Sequence, residues 1–438
     1  MKKLCILCLM AIALMGCGRG RDPGTSIAYI PVETGAVDPV GSVTAAPAPT
    51  AAPLFTPAST ASPTAAPTAT PAPTHTPVPT PEPAPTPEPL EAKLRKYVEG
   101  MSDREKIGQL VMFGFSGTKT VSGEFAKIMK DYAVGNVILY GDNIARNDRD
   151  GGFDRCAKLT EDIRAHCPGP IPPLISIDVE GGNVTRFRWR DKIVSAGELG
   201  KKDDPEAARL QFERIAAALH DIDINVDLAP VLDVAQSPSK SFLGSRIISG
   251  NEEVASRIGC ACVEGIREGG CLSVAKHFPG HGATNVDSHD STPVVKKGLD
   301  ALRDYELYPF EQAVAAGVDG IMVAHILYPE VDPDHVASQS RIIMTDLLRE
   351  EMGFTGLIVA DDFRMNGLRS RTSLERAGVQ FILSGGDLIL CGAKHNYQLS
   401  ILQGLAAAVE DGTISQDRLN ESVMRVLTAK VRVTGWEP

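Results

Sequence analysis

Along most of this chain, short continuous apolar runs recur, each stopped by glycine or a polar residue. They are Leu110–Phe115, Asn136–Tyr140, Leu174–Asp178, Asn225–Ala229, Leu272–Lys276, Gly320–Ala324, Leu357–Asp361 and Asp387–Cys391. Runs this short, rich in Val, Ile and Leu, predict strands buried on both faces, as in a parallel sheet. Between most of them the apolar positions switch to a helical period: Pro205–His220, Glu252–Glu268, Leu299–Ala316 and Thr372–Leu383. Ser102-Asp103-Arg104-Glu105 has the capping-box pattern that opens a helix. Strand alternating with helix about eight times predicts an α/β fold, a single (β/α)8 TIM-type barrel. A doubly wound open sheet is the alternative, but no glycine-rich phosphate loop follows the first run to favour it.

A barrel of this kind gathers the C-terminal ends of its strands at one mouth, and active sites sit there. In this sequence the runs end on chemistry: Asp178 closes the third, Lys276 and His277 the fifth, His325 the sixth and Asp361 the seventh. Charged groups at the ends of buried strands are costly unless they pair or serve a site. Their convergence on one mouth is what points to an enzyme.

Composition restricts the foldable part. Residues 44–89 are nearly all Pro, Thr, Ala and Glu, too poor in apolar area to offset the entropy of ordering. They predict an extended spacer of polyproline character. The barrel therefore takes residues 90–438. Ahead of the spacer, Lys2-Lys3 and the apolar run Leu4–Met15 read as a signal peptide over residues 1–16. Leu14-Met15-Gly16-Cys17 resembles a bacterial lipobox, which implies cleavage before Cys17 and lipid on its thiol, with residues 17–89 as a tether. The net charge of −11, without a Lys/Arg cluster, argues against nucleic acid and against a polybasic membrane patch. Of nine cysteines, six lie in the barrel: Cys156, Cys167, Cys260, Cys262, Cys271 and Cys391. They show no C-x-x-C spacing and read mostly as buried thiols, with a Cys156–Cys167 disulfide as the pairing to check.

The densest chemistry is Lys276–Ser291, KHFPGHGATNVDSHDS. Asp287 and His289 stand two apart, close enough in a turn for the carboxylate to fix the imidazole tautomer and raise its basicity. The same spacing also suits a loop merely stapled by an Asp–His hydrogen bond. Of Asp361 and Asp362, one can face the mouth while the other caps the next helix, and the sequence does not choose between them. A metal hydrolase using His277, His281, Asp287 and His289 is the competing class. His277 and His281 flank Phe-Pro-Gly and so share no helix face, and the H-E-x-x-H pattern is absent.

KHFPGHG followed by DSH resembles the signature of family 3 glycoside hydrolases, in the β-N-acetylglucosaminidase branch. Further segments carry the same resemblance: Asp178–Arg186 (DVEGGNVTR), Leu228–Val234 (LAPVLDV), Met344–Arg349 and Gly353–Asp362. Together they cover about residues 97–434. The resemblance implies a retaining mechanism with Asp361 as nucleophile and His289 as general acid/base held by Asp287, in place of the usual pair of carboxylates. It places Asp178, Arg186, Arg246, Lys276 and His277 around the hydroxyls of an N-acetylglucosamine. It implies a carbohydrate substrate, no cofactor or metal, and membrane contact through the lipid anchor only; a monomer is expected. The neighbours of Arg246 (Ser245, Ile247, Ile248), with Asn183 and Thr185, depart from the family pattern, which touches fine substrate contacts rather than the chemistry. A phosphorylase or a β-glucosidase of the same family, and a non-catalytic wall-binding lipoprotein that kept the barrel, are the alternatives.

Overall fold

The computed structural model describes residues 88–438; the signal peptide, Cys17 and the spacer up to residue 87 lie outside the described residues. Eight parallel strands form one sheet: β1 Val111–Gly114, β2 Asn136–Ile138, β3 Leu174–Ile177, β4 Val226–Asp227, β5 Leu272–Phe278, β6 Gly320–Val323, β7 Leu357–Ala360 and β8 Ile389–Cys391. Neighbours in sequence are neighbours in the sheet, and β1 also pairs with β8. A Val359–Leu388 bridge, with the Ala360 amide donating to the Leu388 carbonyl at 2.9 Å, brings β8 back to β7 and closes the ring. The fold is therefore the (β/α)8 barrel.

Strand alternation divides the core. Met112, Ile138, Leu174, Val226, Leu272, Val274, Met322, Leu357, Val359, Leu388 and Leu390 fill the barrel interior. The alternate positions, such as Phe113, Ile175, Ile177, Ile321 and Ile358, point outward into the layer of helices. That double burial is why the strands read as continuous apolar runs. The Ser102 capping box is present, with the Ser102 side chain accepting from the Glu105 amide. The helices Pro205–His220 and Glu252–Glu268 form with the expected bounds, each capped by the side chain before it, Asp204 and Asn251.

One expectation is corrected, and the one disulfide pairing left open is absent. The stretch Leu299–Ala316 is not one helix: it breaks into Leu299–Arg303 and Tyr308–Ala315. Pro309 has no amide to carry a helix through and is suited instead to a first turn, and Glu306 in the break turns inward to pair with Lys297. Cys156 and Cys167 are free thiols, as are the other four barrel cysteines. Both sit on the helix Phe153–His166 or at its end. Eleven positions along a helix separate them by about 16 Å, far beyond the roughly 7 Å limit between Cα atoms of a disulfide.

Candidate active site

A cavity of about 200 Å³ opens at the C-terminal ends of the strands. Asp178, Arg186, Arg246, Lys276, His277, His289 and Asp361 all line it, so seven of the eight residues given a role by the family resemblance meet there, whereas the strand-end His325 is fully buried and does not line it. The eighth, Asp287, stands behind His289. Asp287 Oδ1 accepts from His289 Nδ1 at 2.7 Å and from the His289 amide at 2.9 Å. With Nδ1 occupied, the other imidazole nitrogen is the one left for the cavity.

One side of the cavity is a chain of ion pairs. Arg186 reaches Asp178 at 2.6 Å, Lys276 reaches Asp178 at 2.8 Å and Glu180 at 2.7 Å, and Arg246 holds Glu180 through two nitrogens at 2.7 and 2.9 Å. Arg246 then stands 3.4 Å from His277 Nε2. Burial works against every charge in this chain. The Lys276 and Arg186 cations nevertheless hold the Asp178 carboxyl well below the usual carboxylate range, and Lys276 and Arg246 lower that of Glu180. Asp178 and Glu180 in turn push Lys276 upward. All members stay ionised at neutral pH, and their remaining donors and lone pairs present a dense polar wall.

Below the His-bearing turn, one carboxylate sets two histidines. Asp233 Oδ2 accepts from His277 Nδ1 at 2.6 Å and from the His277 amide at 3.2 Å, and Oδ1 accepts from the His281 amide at 2.5 Å. His281 is buried against Phe242, ring centres 4.6 Å apart. Burial first, then the neighbouring His277, push it down to about 4, so its ring is neutral at pH 7. The metal reading finds no support in this geometry: Asp233, Ser288 and Asp287 each take a nitrogen of His277, His281 and His289. Among the described residues no three His, Cys, Asp or Glu side chains are placed to share an ion.

The structure also separates the adjacent acids. Asp361 accepts a bond from the Asp362 amide at 2.8 Å, and its carboxylate otherwise faces the cavity. Burial would raise it, but the imidazoles of His277 and His325 and that amide hold it below its ordinary value, so it is a carboxylate at neutral pH. Asp362 is saturated instead, by Tyr140 Oη at 2.8 Å, Arg364 Nε and a terminal nitrogen at 2.9 and 2.7 Å, and the Arg364 and Gly392 amides. Glu180, Asp233 and Tyr140 were not singled out from the sequence. Glu180 and Asp233 lie inside the motifs quoted for Asp178 and Leu228–Val234, and Tyr140 closes the second apolar run, so the rule that strand ends carry the site would have found it.

A wider groove of about 830 Å³ lies elsewhere, lined by His335, Arg371, Glu375 and Arg376, and holds none of the strand-end groups. The strand-end groups gather in the smaller cavity.

Comparison with known proteins gives the family. Residues 102–429 match the family described as Glycosyl hydrolase family 3 N terminal domain. The chain is 32% identical over 319 residues to a Beta-hexosaminidase of Idiomarina loihiensis, covering 72% of this chain and 92% of that one. It is 29% identical over 337 residues to Beta-hexosaminidase A of Pseudoalteromonas piscicida, covering 72% of this chain but 56% of that longer protein. Among solved structures, a glycoside hydrolase family 3 beta-N-acetylglucosaminidase from Paenibacillus superposes with a TM-score of 0.72 at 35% identity, over 76% of this chain and 63% of that one. A Beta-N-acetylhexosaminidase from Beutenbergia cavernae gives 0.69 at 27% identity, over 75% of this chain and 98% of that one. A strand-end nucleophile candidate, an Asp–His pair on a separate loop and a family match across the whole barrel agree: the chain belongs to glycosyl hydrolase family 3.

Proposed function

We propose that this protein is an exo-acting, retaining β-N-acetylglucosaminidase that removes terminal β-linked N-acetylglucosamine from cell-wall muropeptides or chitin-like oligosaccharides. The observation that carries the reading is the pairing of two groups on one cavity: the unshared Asp361 carboxylate, and a His289 imidazole whose far nitrogen is held to Asp287. The Beta-hexosaminidase and beta-N-acetylglucosaminidase relatives support the same substrate class. So does size. A cavity of about 200 Å³ is smaller than the roughly 300–1,000 Å³ of pockets for drug-sized ligands, which suits one terminal ring rather than an extended chain.

In this reading Asp361 attacks the anomeric carbon as the bond to the leaving oxygen breaks, and the nitrogen of His289 gives that oxygen its proton. A glycosyl ester on Asp361 results. His289, now neutral, takes a proton from water as the water oxygen attacks the same carbon, and Asp361 departs as the carboxylate. Asp287 stabilises the imidazolium in the first state and keeps the tautomer correct in the second. Asp178, Arg186, Arg246, Lys276 and His277 bind the sugar hydroxyls. No step calls on a metal or cofactor.

Activity on an aryl β-N-acetylglucosaminide, beside the aryl β-glucoside and with or without phosphate, tests this. Free N-acetylglucosamine as product, unchanged by phosphate, with the glucoside turned over much more slowly, is expected. A sugar phosphate as product moves the protein to the phosphorylase reading, and preference for the glucoside to the β-glucosidase one.

The site of action is part of the proposal. Cys17 carries lipid and residues 18–89 tether the barrel on the outer face of a bacterial membrane. At about 3.1 Å per residue such a spacer spans on the order of 200 Å, enough to work within a cell wall. Cys17→Ala is expected to release the protein from the membrane fraction; full retention there overturns the anchor.

A further inference from the structure

The loop that bears His289 is exposed on both sides of a single buried residue. The side chains of Asp287 and His289 are 39% and 70% exposed, whereas Ser288 between them is 1% exposed. Ser288 is held twice. Its hydroxyl shares a 2.8 Å hydrogen bond with His281 Nε2, and its carbonyl accepts from the Gly367 amide at 2.9 Å. The two holders come from the ends of two different strands. His281 belongs to the turn after β5, where Asp233 fixes its amide. Gly367 lies in the segment that follows β7 and Asp361. That segment grips the loop again through Thr292 Oγ1, which donates to the Gly367 carbonyl at 2.8 Å. Gly367 fits because it lacks a side chain: a Cβ there would lie 3.0 Å from both the Ser288 and the His325 carbonyl oxygens.

We propose that Ser288 is the positioning residue of this loop, pinned between His281 and Gly367 so that the His289 imidazole is set at a fixed place relative to Asp361. The proposal rests on the reading of His289 as acid/base given above. Its logic is geometric. Asp287 orients the ring through a bond local to the loop, and such a bond travels with the loop wherever it moves. Only contacts from the loop to the barrel can fix the distance between the acid and the nucleophile, and Ser288 makes them with the segments after both β5 and β7. His281 suits the task because it is neutral and buried, so its hydrogen bond does not depend on a proton taken up near neutral pH.

The test compares Ser288→Ala, Gly367→Ala and His289→Ala with the parent on two substrates, N,N′-diacetylchitobiose and an activated aryl β-N-acetylglucosaminide, reading kcat/KM so that only the bond-breaking step is seen. Departure of the sugar needs the acid, and departure of the activated phenol scarcely does. The aryl-to-disaccharide ratio is therefore expected to rise in both Ser288→Ala and Gly367→Ala by about tenfold or more, since small misplacements of a reacting group cost up to about a hundredfold. His289→Ala should raise it further. Gly367→Ala keeps every side chain of the site, so it answers the question even if Ser288→Ala folds poorly. If His289→Ala raises the ratio while Ser288→Ala and Gly367→Ala leave it at the parent value, or lose both activities equally with a lowered Tm, the pin is wrong and the acid/base reading stands. If His289→Ala itself leaves the ratio unchanged, the acid/base reading fails and the pin fails with it.

Discussion

Asp361 and Asp362 are neighbours in the chain with opposite surroundings. Asp362 has all its lone pairs engaged by Tyr140, Arg364 and the Gly392 amide, whereas Asp361 keeps an open oxygen toward the cavity and is stabilised as an anion. Only the second environment leaves a nucleophile. Under the proposed reaction Asp361→Asn abolishes turnover of every substrate, because both half-reactions pass through its carboxylate. Asp362→Asn instead loosens Tyr140 and Arg364 and leaves measurable activity. His289→Ala on an activated aryl substrate should form the glycosyl-enzyme but hydrolyse it slowly, by about a hundredfold or more. Mass spectrometry should then find the added sugar on Asp361, and azide, which needs no base, should restore turnover of His289→Ala as the β-glycosyl azide, a product Asp361→Asn cannot form. A sugar trapped on any other residue, or a β-configured glycosyl azide from Asp361→Asn, which needs a second displacement on some other group, defeats the assignment of the two roles.

At the scale of elements, the strands were legible because a closed parallel barrel buries both their faces and writes them as unbroken apolar runs. The same closure made the ends of the runs informative, since a polar residue that stops an apolar run is already at the rim. Asp178, Lys276, His277 and Asp361 were found in that way, and they meet in one cavity. The sequence does not carry the choice of partner across the rim. Glu180 binds Arg246 sixty-six positions away, and Asp233 binds His277 forty-four positions away. Such pairings depend on which strand ends the twist and register bring side by side. For the same reason the sequence left Asp287–His289 open between a staple and a dyad. The bond is the same 2.7 Å contact in either case, and what distinguishes them is the cavity in front of the other nitrogen. The break in Leu299–Ala316 is marked in the sequence by Pro309, but the apolar period continues across it and hides the break.

The whole barrel keeps two ionic networks apart, one at each end. The upper one surrounds the cavity. The lower one joins the last helix, Gln416–Thr434, to residues that precede the strands. Asp387, just before β8, is fully buried and takes Arg349, Arg425 at 3.1 Å, the Ser422 hydroxyl at 2.8 Å and the Ile358 amide at 2.9 Å. Lys430 of the same helix is buried and donates to Gln109 at 2.6 Å and to the Gly135 carbonyl at 3.0 Å, while Val426 closes the bottom of the barrel interior. In this fold the lower face serves stability and the upper face serves chemistry. Removing the charge of Asp387 leaves the guanidinium groups of Arg349 and Arg425 without their shared carboxylate. Breaking a buried pair in this way costs about 3–5 kcal/mol. Asp387→Asn is therefore expected to lower Tm by about 5–10 °C while kcat/KM at 25 °C stays at the parent value. Asp178→Asn makes the converse case. Its carboxylate is the joint between Arg186 and Lys276 at the cavity wall, but Lys276 keeps Glu180 and Arg186 is partly exposed, so kcat/KM should collapse with a smaller change in Tm. Thermal melts and kinetics on the same four samples, the parent, both single variants and the double, decide it. Loss of activity in Asp387→Asn well below its melting temperature, or a Tm deficit in the double variant far from the sum of the two singles, means that the two ends of the barrel are coupled and the division of labour fails.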